Sequence, residues 1–182
     1  MKKFLKALTS NKGFTLIELI VVIAIIAMLV TTGAVAFGGA QKGSRIAKRQ
    51  GDLKAIETAL EFYYAANGSY PINPTWAWRS ECTGWGGHAA NDVIPGLVPT
   101  YMKSFPSDPS MKIAGNTSCY LYLSNGTDYK LLDHNIVDLT QADYAKSKNL
   151  IDPVRDSGPN GCLVDGTGIW SWAIYSSGGC GW

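Results

Sequence analysis

Glu18 is the one ionisable side chain between positions 14 and 37, in a run that is otherwise uncharged and mostly apolar. A carboxylate inside hydrocarbon is costly, less so near a membrane face, and residues of this kind mark function and require a partner. Four cysteines, Cys82, Cys119, Cys162 and Cys180, offer a second chemistry, and all lie beyond the apolar run. None forms a C-x-x-C pair and only His88 and His134 accompany them, so the thiols read as two disulfides in an oxidising compartment rather than as a zinc site. Local closure favours Cys162 with Cys180 across the stretch 170–174, which leaves Cys82 for Cys119, although four cysteines allow three connectivities. Asp152, Asp156 and Asp165, with nearby carbonyls, are weak candidates for calcium, at a spacing that does not fit an EF-hand. No other metal or cofactor is expected. The chain contains no P-loop, G-x-S-x-G or H-E-x-x-H pattern and nothing resembling a catalytic constellation, so no enzymatic activity is expected.

The elements that must position these groups follow from periodicity. The run 14–37 is as long as a bilayer core requires of a helix, and it is too long for an ordinary signal-peptide core, with no small-residue cleavage site closing it. No proline occurs before Pro71. From Ile46 the pattern changes: Ile46, Leu53, Ile56, Leu60 and Tyr63 fall on one helical stripe, with Arg45, Lys48, Asp52, Glu57 and Glu61 mostly off it. Asn67-Gly68 followed by Pro71 predicts the end of that helix. Gly33, Gly38, Gly39, Gly43 and Gly51 interrupt it, each costing about 0.8–1.0 kcal/mol relative to Ala, and outside lipid the stretch 38–43 is expected to unwind most readily.

Beyond Pro71 the chain is rich in Gly, Pro, Asn and Ser. Segments 120–124 and 128–133 flank Asn125-Gly126 and predict a hairpin; 169–175 alternates, with Trp170, Trp172 and Ile174 on one face, and predicts a third strand. Residues 95–103 suggest a short turn or helix, and 141–148 a helix. The predicted class is α+β: one long N-terminal helix packed on a small antiparallel sheet, with loops stapled by disulfides. The organisation is a basic leader at 1–13, a membrane-spanning helix at 14–37, its amphipathic continuation at 38–67 and a globular domain at 68–182.

The formal net charge of +2 depends on Lys2, Lys3, Lys6 and Lys12; without residues 1–13 the side chains number 12 basic against 14 acidic. Bulk charge therefore gives no case for nucleic acid as the main partner. The basic residues between 42 and 54 read as a solvated helix face rather than a lipid or DNA site, and Trp76, Trp78 and Trp85 as core or subunit contacts rather than a sugar- or base-stacking surface. Lysines before the apolar run and the basic residues soon after it nearly balance the positive-inside rule. The cysteines break the tie, placing the N-terminus in the cytoplasm and residues 82–182 outside it.

The stretch Lys12-Gly13-Phe14-Thr15-Leu16-Ile17-Glu18-Leu19, running into an apolar helix, resembles the class III signal of type IV prepilins and type II secretion pseudopilins. Asp52–Ile56, Leu60–Tyr64 and Asn67-Gly68-Ser69-Tyr70-Pro71 look like the helix end of major pseudopilins and related pilins, and 96–99 with 105–109 is similar to the loop that follows it. Val35 stands near the place where many type IV pilins carry proline. The resemblance implies cleavage between Gly13 and Phe14 by a membrane aspartyl peptidase, the prepilin peptidase, and N-methylation of Phe14. It implies assembly on a pilus or secretion platform into a homopolymer, first as a single-pass inner-membrane protein and then as an extracellular or periplasmic filament. Major pseudopilins bind calcium in their C-terminal loops, which is the family's bearing on Asp152, Asp156 and Asp165. Cleavage would create an α-amine on Phe14, mostly protonated near neutral pH, for Glu18 of a neighbouring subunit to pair with. The alternative expectation is a non-polymerising anchored module that binds sugar or DNA.

Overall fold

The computed structural model describes residues 13–159 and 161–182, and of residues 32–36 the backbone alone. The expected leader therefore lies outside the described residues except at Gly13. Contacts divide the chain into two units, Met1–Gly43 and Ser44–Trp182, and helix α1, Leu16–Asn67, contributes to both.

In the first unit α1 opens on a capping box. The Thr15 N–H and hydroxyl donate to Glu18 Oε2 at 2.9 and 2.8 Å, and the Glu18 N–H donates to Thr15 Oγ1 at 3.3 Å. These bonds satisfy donors that a helix start leaves without an intrahelical acceptor. The large apolar side chains from Leu16 to Val30 are each about half exposed or more, on every side of the helix. The stretch 38–43 is helical. Once a helix is nucleated each further residue adds a hydrogen bond, and this outweighs the glycine penalty. Among the described residues no helix is long and apolar enough to cross a membrane; the span expected at 14–37 includes positions 32–36, whose side chains lie outside the description.

In the second unit, Leu53, Ile56, Ala59 and Leu60 of α1 are buried and Ile46 and Tyr63 are half-buried against the same core. The helix ends where a left-handed residue can follow it: Gly68 has φ +73° and its N–H donates to the Tyr64 carbonyl at 2.8 Å. Three antiparallel strands follow, β1 (Cys119–Ser124), β2 (Tyr129–His134) and β3 (Trp172–Tyr175), in spatial order β1-β2-β3. The register sets Tyr122 opposite Leu131 and Leu121 opposite Leu132. Tyr120, Tyr122, Leu131 and Trp172 join the core that α1 covers, and Cys119, Leu121, Leu132 and Ala173 form a second core with Cys82, flanked by Trp78, Trp85 and Met111. Every residue of β1 is buried, because the sheet is covered on both faces.

One expected strand is shifted by a residue and another is shorter than anticipated. Asp128 belongs to the turn: the Asn125 side-chain oxygen accepts the N–H groups of Thr127 and Asp128 at 2.9 and 2.7 Å, and β2 begins at Tyr129. Trp170 precedes β3, because the Ile136 N–H takes its carbonyl and Ile151 bridges to Trp172. Residues 95–103 form turns, with the Tyr101 N–H on the Leu97 carbonyl at 2.9 Å. The predicted helix at 141–148 is one α-turn, α2 (Gln141–Tyr144), and a 3-10 segment, Ala145–Leu150, broken by non-helical backbone at Ser147.

Candidate functional site

Gly13 and Phe14 lie outside the helix on exposed backbone, and the Phe14 side chain is 90% exposed. Glu18 stands one turn in, its carboxylate turned back on Thr15 by the capping box. The box is legible as Thr-x-x-Glu ahead of an apolar run, and periodicity alone passes over it. It places the carboxylate beside the first residues of the helix, within the same turn as the Phe14–Thr15 peptide.

The basic residues between 42 and 54 are not all a solvated face. Arg45 Nε reaches Asp138 Oδ2 at 2.6 Å, Lys48 Nζ reaches Asp52 at 2.5 Å and the Ser107 carbonyl at 2.9 Å, and Lys54 pairs with Glu57 at 2.7 Å. Arg49 departs furthest from expectation: its side chain is wholly buried. Its guanidinium grips Asp108 with Nε at 2.5 Å and Nη2 at 3.2 Å, donates to Ser110 Oγ at 3.0 Å and to Asp138 Oδ1 at 2.7 Å, and lies 3.5 Å from Asp133 Oδ2. Burial disfavours its charge, yet the carboxylates, Asp108 first, raise its pKa further above the usual arginine value. This knot of charge joins α1 to β2 and to the loops around residues 108 and 138.

The tryptophans do not form one open platform. Trp85 and Trp170 both pack edgewise on His134, with centroids at 4.4 and 5.1 Å. The Arg155 guanidinium lies over Trp78 at 5.3 Å and over Trp170 at 5.9 Å, within cation–π range. Trp76 meets Trp182 edge-on at 4.9 Å, and the Trp182 main-chain oxygen accepts from Arg155 Nη1 at 3.1 Å. Burial first, and the Arg155 charge second, lower the His134 pKa to about 4.

The three aspartates considered for calcium are engaged in other ways. Asp152, fully buried, takes Lys130 Nζ at 2.6 Å and Arg155 Nη1 at 2.6 Å. Asp156, also fully buried, accepts the N–H groups of Gly158, Asp165 and Gly166 at 2.7, 2.9 and 3.0 Å and so organises the loop by its own backbone. Asp165 contributes its main chain to that arrangement, and the Gly158 backbone passes against its side chain so closely that no Cβ fits there. Among the described residues no group of three or more His, Cys, Asp or Glu side chains is placed to hold a metal ion. Lys130, wholly buried, completes its three donor bonds with the main-chain oxygens of Cys180 and Trp182 at 2.8 and 2.9 Å. The disulfides join Cys82 to Cys119 and Cys162 to Cys180, with Cα separations of 6.3 and 5.2 Å. The first closes over the second core and the second fixes the segment whose carbonyl holds Lys130.

Searches among curated proteins and among solved structures find no match to the chain. A family model does match: residues 8–34 carry the prokaryotic N-terminal methylation motif, the class III signal peptide of type IV pilins and pseudopilins, and with it the processing signal of pilin-like structural proteins.

Proposed function

We propose that this chain is a structural subunit of a type IV pilus or a type II secretion pseudopilus. In this reading a prepilin peptidase cuts between Gly13 and Phe14, the new Phe14 amine is methylated, and residues 14–37 hold the subunit in the inner membrane until it is drawn into a filament. The observation that carries the reading is a helix apolar on every side, largely exposed, with one carboxylate in its first turn, inside the methylation motif. Exposed apolar surface on that scale marks a protein or membrane interface. In the filament Glu18 pairs with the Phe14 amine of the neighbouring subunit, which offsets the desolvation of both charges and sets the axial register.

The test is Glu18→Leu in the host with its assembly machinery, with sheared filaments quantified beside membrane-bound, processed protein. Removing the charge leaves insertion and cleavage intact, because Gly13 and Phe14 are unchanged. Assembly falls steeply, because truncating one partner of a buried pair costs about 3–5 kcal/mol by leaving the other uncompensated. Intact-mass analysis of the same material should show the loss of residues 1–13 and a methylated Phe14. Wild-type filament yield from Glu18→Leu would defeat the mechanism and turn attention to a non-polymerising anchored module.

A further inference from the structure

Three carboxyls, Asp108, Asp133 and Asp138, meet two cations, Arg45 and Arg49, where α1 crosses the sheet. Lys48 does not redress the balance, since it is taken by Asp52. Asp138 has both arginines, at 2.6 and 2.7 Å, and Asp108 has the two-pronged grip of Arg49. Asp133, on β2, is wholly buried and neither of its oxygens has a hydrogen-bond donor; its one cationic neighbour is Arg49 Nε at 3.5 Å. An ionised carboxyl so placed would be a buried charge with no cation of its own, and such groups neutralise instead.

We infer that Asp133 keeps a proton in the folded chain, and that this proton is part of what fastens helix α1 to the sheet. The groups that face Asp133 are Arg49 from α1, Asp108 from the loop after residue 105, Asp138 from the loop after β2, Tyr120 from β1 and Tyr144 from α2. Trp172 stands opposite it on β3 and carries no charge. Of these, only Arg49 favours the ionised form. Asp108 and Asp133 both approach Arg49 Nε, at 2.5 and 3.5 Å, and burial first, then the charge of Asp108, hold Asp133 well above the usual carboxylate range. Tyr120 and Tyr144 are themselves pushed up, by burial first and in part by Asp133, so neither supplies compensating charge. With the proton in place the cluster is neutral. With the proton gone, Asp108 and Asp133 compete for one guanidinium, and the hold of α1 on the loop bearing Asp108 weakens.

The sign of the pH dependence follows from the raised pKa. The folded chain holds a proton that the unfolded chain releases near pH 4, so this contribution to stability is full below about pH 4 and is lost as pH rises through the folded value. The direct measurement is carboxyl carbon NMR on the full chain in detergent, with labelled aspartate, from pH 3 to 9. One resonance, that of Asp133, should titrate well above the ordinary aspartate range. Asp133→Asn removes that resonance or its high titration and, in thermal melts, flattens the decline in midpoint that the wild-type chain shows with rising pH. If Asp133→Asn does not fold, Asp108→Asn serves: Asp133 then loses one rival for Arg49, and its titration moves down while burial still keeps it raised. All aspartates titrating at or below about pH 4 in the wild-type chain would overturn the inference. So would a titration that Asp108→Asn leaves unmoved.

Discussion

At the scale of single residues, His134 offers the clearest acid-side test. Its imidazole packs against Trp85 and Trp170 with Arg155 nearby, and its Nδ1 is buried. The folded-state pKa of about 4 lies below the ordinary value of 6.5. The folded chain therefore resists a proton that the unfolded chain accepts, so the contribution is present above pH 6.5 and is lost as pH falls towards 4. His134→Phe keeps a ring against the two indoles and removes the proton. Its urea midpoint should fall less than that of the wild-type chain between pH 7 and 4.5, and an equal fall in both would reject this role. Asp133 acts in the opposite direction across the same interval, so each variant is compared with the wild-type chain rather than with the other. The neighbouring lesson is Arg49. It lies three residues after Ile46 and four before Leu53, which is a place on the buried stripe itself. The stripe is legible from spacing, but a charged residue in the gap reads as solvated, because its partners Asp108, Asp133 and Asp138 are 59 or more positions away and no local pattern connects them.

At the scale of elements, the end of α1 was legible and the ends of the strands were not. Gly68 and Pro71 act on the backbone directly, one by accepting φ +73° and the other by lacking an N–H, and so their meaning does not depend on the rest of the fold. Where β2 begins depends on the Asn125 side chain taking up the N–H groups of residues 127 and 128, and where β3 begins depends on Ile151, which arrives from a distant part of the chain. Alternation marks a strand but cannot report which neighbour will use its hydrogen bonds. Two alanine substitutions separate the roles of glycine in the helix. Gly68→Ala places a Cβ in left-handed backbone and should destabilise by about 1–2 kcal/mol. Gly51→Ala, in the helix interior with open space around it, should stabilise by about 0.8–1.0 kcal/mol. Chemical denaturation of the two variants decides this, and equal effects of the same sign would contradict the assigned helix end.

At the scale of the whole molecule, both hydrophobic cores, both disulfides and all three strands belong to Ser44–Trp182. Among the described residues, the core residues all lie in this unit. A fragment beginning at Ser44 should therefore fold in an oxidising compartment without detergent, with Cys82 joined to Cys119 and Cys162 to Cys180 and a cooperative thermal transition. Persistent aggregation, or loss of cooperativity with both disulfides formed, would mean that the first unit is needed for the fold. The charges on α1 in this unit have a further consequence. Arg45, Lys48, Arg49 and Lys54 are each matched by an acid of the same chain. Identical copies set side by side multiply whatever field one copy projects, and like charges then push the array apart. In the proposed filament, a subunit that neutralises its own helix can be stacked many times over with little mutual repulsion along that helix.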